Sequence, residues 1–273
     1  MPAFRAACVQ LNAGNDLAAN LRAVTAAVHE AAAAGAQLIL LPEYALLLDG
    51  SGRVMRENAF AEAAHPALGA LQVLAREAVV WLLVGSLTVR LEDDVMANRS
   101  YLLGPDGAVV AWYDKIHMFD VTLPSGKVIR ESSAYRPGGR AVLAPTPWGP
   151  LGMSVCYDLR FPQLFRTLAR AGALFLAVPS SFQRETGVAH WHALLRARAI
   201  ENLAYVMAPA MCGEHPGGRS TYGHSLIVDP WGKIVAELGA DPGICYAEID
   251  PAEVLRVRTM LPALSHDRPF TGP

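Results

Sequence analysis

The sequence predicts an α/β fold in which helices cover sheets of buried strands. Strand-like and helix-like segments alternate along the chain, the strands are continuously apolar, and no apolar run approaches the ~18 residues that a membrane span requires. With 52% apolar and 18% charged residues among 273, the chain can bury a sizeable core, which argues against disorder.

Each element has its own signal. The first strand reads AFRAACVQL. Asp16 is the N-cap of a helix that runs to Ala34, with Gly35 as its stop. Leu17, Leu21, Val24 and Val28, spaced by 4, 3 and 4, form its apolar stripe. The buried strand QLILLPE follows, then a helix over 66–79 and the strand WLLVGSLTV. SYLLGPDGAVVA (100–111) and SLIVDPWGKIVA (225–236) both read as β-hairpins, two apolar strands around a Pro-containing turn closed by Gly. These hairpins resemble each other at an offset of 125 residues, and GAQLILLPEY (35–44) resembles GALFLAVPSS (172–181) at an offset of 137. Two similar halves with no Ser/Gly/Pro-rich linker between them predict a single domain over 1–273 with approximate two-fold symmetry.

A net charge of −2 without any basic run argues against nucleic acid or an anionic membrane as partner. The start, MPAFRAACVQLNAG, lacks the basic and apolar regions of a signal peptide, so a cytoplasmic protein is expected. Cys8, Cys156, Cys212 and Cys245 are scattered with no CxxC pair, which argues against disulfides and against a zinc cluster. Cys8 and Cys245 sit inside apolar runs and Cys212 closes one. All three read as packing residues.

Cys156 is placed differently. In SVCYDLRFP it follows the short strand GPLGMSVC and precedes a helix, FPQLFRTLARAG, that opens with Pro at a tolerated N-terminal position. A cysteine on such a strand-to-helix elbow projects its sulfur from the sheet edge, where a helix N-terminus is expected to favour thiolate. A nucleophilic cysteine also needs a base and an oxyanion partner. His190 and His192 lie two apart on one helix, hence on different faces, and cannot share one metal or one substrate. His224 starts a strand and reads as structural. Glu43 is the better base: it ends a buried strand at the carboxyl edge of the sheet, where desolvation is expected to raise its pKa. Lys115, in AWYDKIHMFD, follows the return strand of the first hairpin. By itself it reads as an ordinary solvated lysine.

LPEY with Glu43, YDKIHMFD with Lys115 and SVCYDLRFP with Cys156 resemble the three signatures of the nitrilase superfamily, the carbon–nitrogen hydrolases, in order and at suitable distances of 72 and 41 residues. TGVAHWHALLRARAIEN (186–202) and YGHSLIVDPWG (222–232) resemble its amidase branch, and the likeness runs from CVQLN to SHDRP. The resemblance implies a four-layer αββα sandwich of two similar halves, a Glu43–Lys115–Cys156 triad, and neither metal nor organic cofactor. A fourth family carboxylate matches Glu131 in KVIRESS. The chemistry implied is attack of the Cys156 thiolate on an amide, with Lys115 and the backbone N–H of Tyr157 holding the oxyanion. The resemblance further implies a homodimer paired through FPQLFRTLARAG and HWHALLRARAIEN, where Leu164, Phe165, Leu168, Leu194 and Leu195 look more numerous than one buried face requires.

The triad alone does not separate amidases from nitrilases or N-carbamoyl hydrolases, and a catalytically silent dimeric scaffold is the non-enzyme alternative. The branch segments favour a small-molecule amide substrate carrying a carboxylate, like deaminated glutathione or an ω-amide keto acid. Arg160, four residues beyond Cys156, and Arg184, after the strand LFLAVPSS, are the expected carboxylate partners.

Overall fold

The computed structural model describes residues 1–93 and 95–272. Its strands form two six-stranded sheets of matching topology. The first has the order β16 (Gly243–Ile249), β1 (Phe4–Gln10), β2 (Leu38–Leu40), β3 (Trp81–Arg90), β4 (Met96–Leu103) and β5 (Val109–Asp114). The second, starting from its own antiparallel edge, has β8 (Leu143–Ala144), β9 (Leu151–Met153), β10 (Phe175–Ala177), β11 (Tyr205–Ala208), β14 (Leu226–Val228) and β15 (Ile234–Glu237). In both, three central strands are parallel and the flanking pairs antiparallel. The similarities between the chain halves therefore have structural counterparts: β2 matches β10, and the hairpin β4–β5 matches β14–β15.

Helices lie outside the sheets. α1 (Leu17–Ala33) and α3 (Pro66–Ala78) cover the first sheet; α4 (Pro162–Arg170) and α5 (Arg184–Asn202) cover the second. The period-2 alternation of strands sorts β1 between two interfaces. Ala6 and Cys8 face the second sheet, while Ala7 and Val9 pack under the helices. Phe4 stacks on Trp148 at 4.2 Å and meets the edge of Phe175 at 5.3 Å, fixing the separation of the sheets. The layers are thus αββα. α1 begins and ends as its sequence predicts: Asp16 accepts the Ala19 N–H at 2.9 Å, and Gly35 takes φ +83° just after the end. The C-terminal α6 (Pro251–Met260) starts in the same way, with Asp250 accepting the Ala252 N–H at 2.9 Å ahead of Pro251, whereas the short α2 (Arg53–Glu57) has no side-chain cap.

One expectation about these helices is corrected. Leu164, Phe165, Leu168 and Leu195 are buried inside the chain and Leu194 is half-buried, so they are not surplus to the fold. A helix packed between a sheet and its neighbouring helix buries two faces, which the expectation had counted as one. Among the described residues, no helix is long and apolar enough to cross a membrane.

Two antiparallel ribbons lie outside the repeated plan: β6 (Asp120–Thr122) with β7 (Val128–Arg130), and β12 (Cys212–His215) with β13 (Arg219–Tyr222). At the carboxyl end of β2 the chain passes close over an irregularity in β3. A Cβ on Gly85 would lie 2.1 Å from the Pro42 carbonyl oxygen, so only glycine permits the approach that carries the chain to Glu43.

Candidate active site

Glu43, Lys115 and Cys156 each follow the end of a strand. Glu43 lies three residues past β2, Lys115 directly follows β5, and Cys156 opens a 3-10 turn, Cys156–Arg160, just beyond β9. Parallel strands deliver their carboxyl ends to one edge of a sheet, and the two sheets bring these edges together. All three residues line one cavity of about 310 Å³. Glu131 joins them from a 3-10 turn that starts where β7 ends.

Two residues at this edge adopt backbone conformations that side chains disfavour: Cys156 has φ +50° and Tyr44 has φ +60°. The elbow is held by Asp158, which is fully buried. Its carboxylate accepts the Val155 N–H at 2.9 Å, the Tyr113 hydroxyl at 2.7 Å and the His117 N–H at 3.0 Å, so it ties the cysteine turn to the segment carrying Lys115. The Cys156 N–H donates to the Pro179 carbonyl at 2.9 Å.

Lys115 and Glu43 are 2% and 1% exposed, and such charges require partners. The Lys115 ammonium donates to both Glu131 oxygens, at 2.9 and 2.8 Å, and to Glu43 Oε1 at 3.3 Å. Glu43 also accepts from Asn98 Nδ2 at 2.8 Å and, through Oε2, from the Ser181 N–H and hydroxyl at 2.8 and 2.5 Å. Glu131 accepts the Phe119 N–H at 2.6 Å. Arg219 donates to the Ser181 carbonyl and hydroxyl at 3.0 and 2.6 Å, and its Nε is buried with no hydrogen-bond partner.

These contacts reverse two expectations. Burial does push the Glu43 carboxyl up, but the Lys115 and Arg219 charges and the Ser181 and Asn98 hydrogen bonds outweigh it and bring its pKa to about 2. The Cys156 thiol is raised, not lowered: burial and the Glu43 carboxylate together exceed the pull of Lys115 and Arg219. The expected helix does not begin at the cysteine: the 3-10 turn Cys156–Arg160 intervenes, and α4 starts six residues later at Pro162. Burial lowers the Lys115 pKa, but Glu131 and Glu43 raise it further, so its charge is secured. The resting site therefore holds a neutral thiol, an ionised Glu43 and a charged Lys115.

Tyr157 lines the cavity, but Arg160 and Arg184 do not. The Arg160 guanidinium lies over the rings of Phe182 and Tyr157, at 5.4 and 5.8 Å, and meets His190 Nδ1 at 3.3 Å. Arg184 opens α5, half-exposed, 3.7 Å from the Glu214 carboxylate. The cations in the cavity wall besides Lys115 are instead Lys127, Arg130 and Arg219, and none of these three forms an ion pair among the described residues. Sequence reasoning missed Asn98, Ser181 and Arg219. The repeat held one signal, because offset 137 places Ser180 opposite Glu43 and Ser181 is its neighbour.

Cys156 is the only one of the four free thiols that lines the cavity. In the folded chain iodoacetamide should therefore label Cys156 ahead of Cys8, Cys212 and Cys245. Because its pKa is raised, the thiolate fraction must still be growing above the ordinary thiol value of about 8.5. The alkylation rate, followed by mass spectrometry from pH 7 to 10, should climb throughout. A plateau below pH 8, or equal labelling of all four, would contradict this electrostatic picture.

Comparisons agree with the geometry. Residues 5–259 match the family model "Carbon-nitrogen hydrolase". A deaminated glutathione amidase of Synechocystis is 39% identical over 271 residues, covering 97% of this chain and 98% of that one. The crystal structure of Saccharomyces cerevisiae Nit3, a member of branch 10 of the nitrilase superfamily, superposes with a TM-score of 0.86 at 31% identity, covering 95% of this chain and 94% of that one. An amidase from Nesterenkonia, solved as a mutant with an acetamide moiety added covalently at its active-site cysteine, superposes with a TM-score of 0.79 at 29% identity over 94% of both chains. The chain belongs to the carbon–nitrogen hydrolase family, the nitrilase superfamily, and is a cysteine-dependent amidase.

Proposed function

We propose that residues 1–273 form one hydrolase domain that cleaves small carboxylated amides of the deaminated-glutathione or ω-amide keto-acid type, releasing ammonia or an amine through a Cys156 thioester. The observation that carries this reading is the Glu43 carboxylate buried in one cavity with the Cys156 thiol and 3.3 Å from the Lys115 ammonium, whose charge favours its ionised form. Glu43 removes the thiol proton as the sulfur attacks the amide carbonyl, so thiolate need not accumulate first. Lys115 and the Tyr157 N–H hold the oxyanion, and Glu131 fixes the ammonium between two carboxylates. Protonated Glu43 then donates to the leaving nitrogen as the tetrahedral intermediate collapses to the thioester. A water that gives its proton to Glu43 attacks the thioester, and the proton returns to the departing sulfur. The relatives' chemistry favours this over nitrile or N-carbamoyl hydrolysis, and an intact triad disfavours a silent scaffold.

The carboxylate anchor is reassigned from Arg160 and Arg184 to the cavity wall, with Arg219 foremost because its buried Nε lacks a partner. The four free cysteines are consistent with a reducing, cytoplasmic setting. The apolar residues still exposed on α5 and α6, Val188, Ile200, Leu255 and Met260, support a homodimer in place of the buried leucines.

Four chemical arms test this reading. Cys156→Ala should abolish turnover of keto-acid ω-amides, assayed as ammonia release. Glu43→Gln and Lys115→Arg should each lower kcat by at least about 10²-fold, and near wild-type rates in either would overturn the triad. An ω-amide keto acid should exceed its methyl ester in kcat/KM by about 2 kcal/mol or more. Arg219→Gln should shrink that ratio, the ester correcting for the brace Arg219 also gives Ser181. Equal rates for acid and ester would sink the anionic-substrate reading and leave the triad standing. Light scattering at micromolar concentration should give about twice the 29.2 kDa chain mass, and a monomer would refute the dimer.

A further inference from the structure

Away from the catalytic cavity, three elements bring ligand-forming side chains to one point on the outer face of the second sheet. His192 comes from α5, Glu237 ends β15, and His224 sits in the turn between β13 and β14. His192 Nε2 is 2.7 Å from Glu237 Oε1, and His224 Nδ1 is 3.2 Å from the same oxygen. The three donor atoms all lie within 4.8 Å of one another. The sequence rules out a metal shared by His190 and His192, and the structure agrees: His190 turns toward Arg160, while the partners of His192 come from the sheet.

The cluster is held by packing. His224 has φ +56°, in the left-handed region that non-glycine residues rarely occupy. Its ring stacks on Tyr222 at 4.4 Å. Tyr222 in turn presses on α5 at Gly187, where an added Cβ would lie 2.4 Å from the tyrosine Cβ. The three side chains remain 26–34% exposed, so an ion can reach them.

We propose that His192, His224 and Glu237 form a binding site for a divalent transition metal of the zinc class, through two imidazole nitrogens and one carboxylate oxygen with a fourth position open to water. Borderline ions such as Zn²⁺ take imidazole and carboxylate ligands at about 2.0–2.2 Å, which puts tetrahedral ligands about 3.3 Å apart. His192 and Glu237 must open by about 0.6 Å to reach that spacing, His224 needs almost no change relative to Glu237, and the two imidazole nitrogens, within 4.8 Å, must close by up to about 1.5 Å. Partly exposed side chains make such shifts by small rotations. Because the Glu237 carboxylate only accepts, the nitrogens that face it carry protons in the hydrogen-bonded cluster, and to bind an ion each imidazole must move that proton to its other ring nitrogen or release it. The bound ion would clamp α5 to β15 and to the turn that leaves β13, the ribbon strand that starts with Arg219.

The test uses the full chain carrying Cys156→Ala, so that the cavity thiol cannot compete as a ligand, after stripping with a chelator. Titration with Zn²⁺ in a calorimeter should show one saturable site per chain. His192→Ala, Glu237→Gln and His224→Asn should each weaken binding by at least about tenfold; asparagine is chosen because it tolerates the left-handed backbone. Co²⁺ should give visible absorption of low-symmetry four- or five-coordination, lost in the same variants, and Zn²⁺ should raise the Tm of the parent but not of His192→Ala. Melting curves in chelator verify that the variants fold. Absence of saturable binding, or binding unchanged by all three substitutions, would overturn the proposal.

Discussion

The burial of the Lys115 ammonium governs the arrangement of this site. A cation withdrawn from water is tolerated only when carboxylates surround it, and removing one partner of such a pair typically costs about 3–5 kcal/mol. Glu43 arrives from β2, Lys115 from β5 and Glu131 from the β6–β7 ribbon, so satisfying one charge draws three segments together. Glu43 then extends the network to the second sheet through both donors of Ser181. The proposed catalytic edge and the junction of the sheets are therefore stabilised by the same contacts. The strained backbone at Cys156 and Tyr44 persists because this network, with the four hydrogen bonds of Asp158, over-determines it.

In the proposed mechanism the same network sets how the Cys156 thiol is activated. Many reactive cysteines stand as thiolate beside a helix N-terminus or an imidazolium. Here burial and the Glu43 carboxylate oppose thiolate. A neutral thiol beside an ionised base suits a transfer made only as the sulfur bonds to substrate, because then the negative charge passes to the carbonyl oxygen. Lys115 is better used there than on the sulfur. Its charge, held by two carboxylates, is complementary to the transition state rather than to the resting site.

Sequence patterns revealed the framework because it rests on local rules. The α1 cap, the apolar strands and the two matched hairpins each follow from residues near one another, and the three residues of the proposed triad stand out through their motifs. What escaped depends on approach in space. Asn98 and Ser181 reach Glu43 across 55 and 138 residues, and no local pattern announces either. Arg160 and Arg184 are near in sequence to Cys156 and to a strand end, yet the guanidinium of one turns onto aromatic rings and that of the other to the exposed Glu214 carboxylate. The pKa expectations missed for a related reason: burial was inferred correctly, but the charges that share the burial were not visible.

The two-fold repeat also separates chemistry from selectivity. Glu43 and Ser181 stand at equivalent loop ends of the two halves, one position apart, and meet across the cavity. Symmetry thus builds a facing pair of loop ends, and a carboxylate on one side with a hydroxyl donor on the other breaks it chemically. The cavity's free cations come from elsewhere. Lys127 and Arg130 belong to the β6–β7 ribbon and Arg219 to β12–β13, neither of which is part of a repeated sheet. If these cations hold the substrate as proposed, substitutions on the ribbons would alter which anion is held without disturbing the strand ends that carry Glu43, Lys115 and Cys156. Arg219 is the exception, since it also braces Ser181 and through it Glu43. A carboxylate bound at Arg219 would then sit one hydrogen-bonded residue from the base, which links recognition of the substrate's charged end to the group that moves the proton.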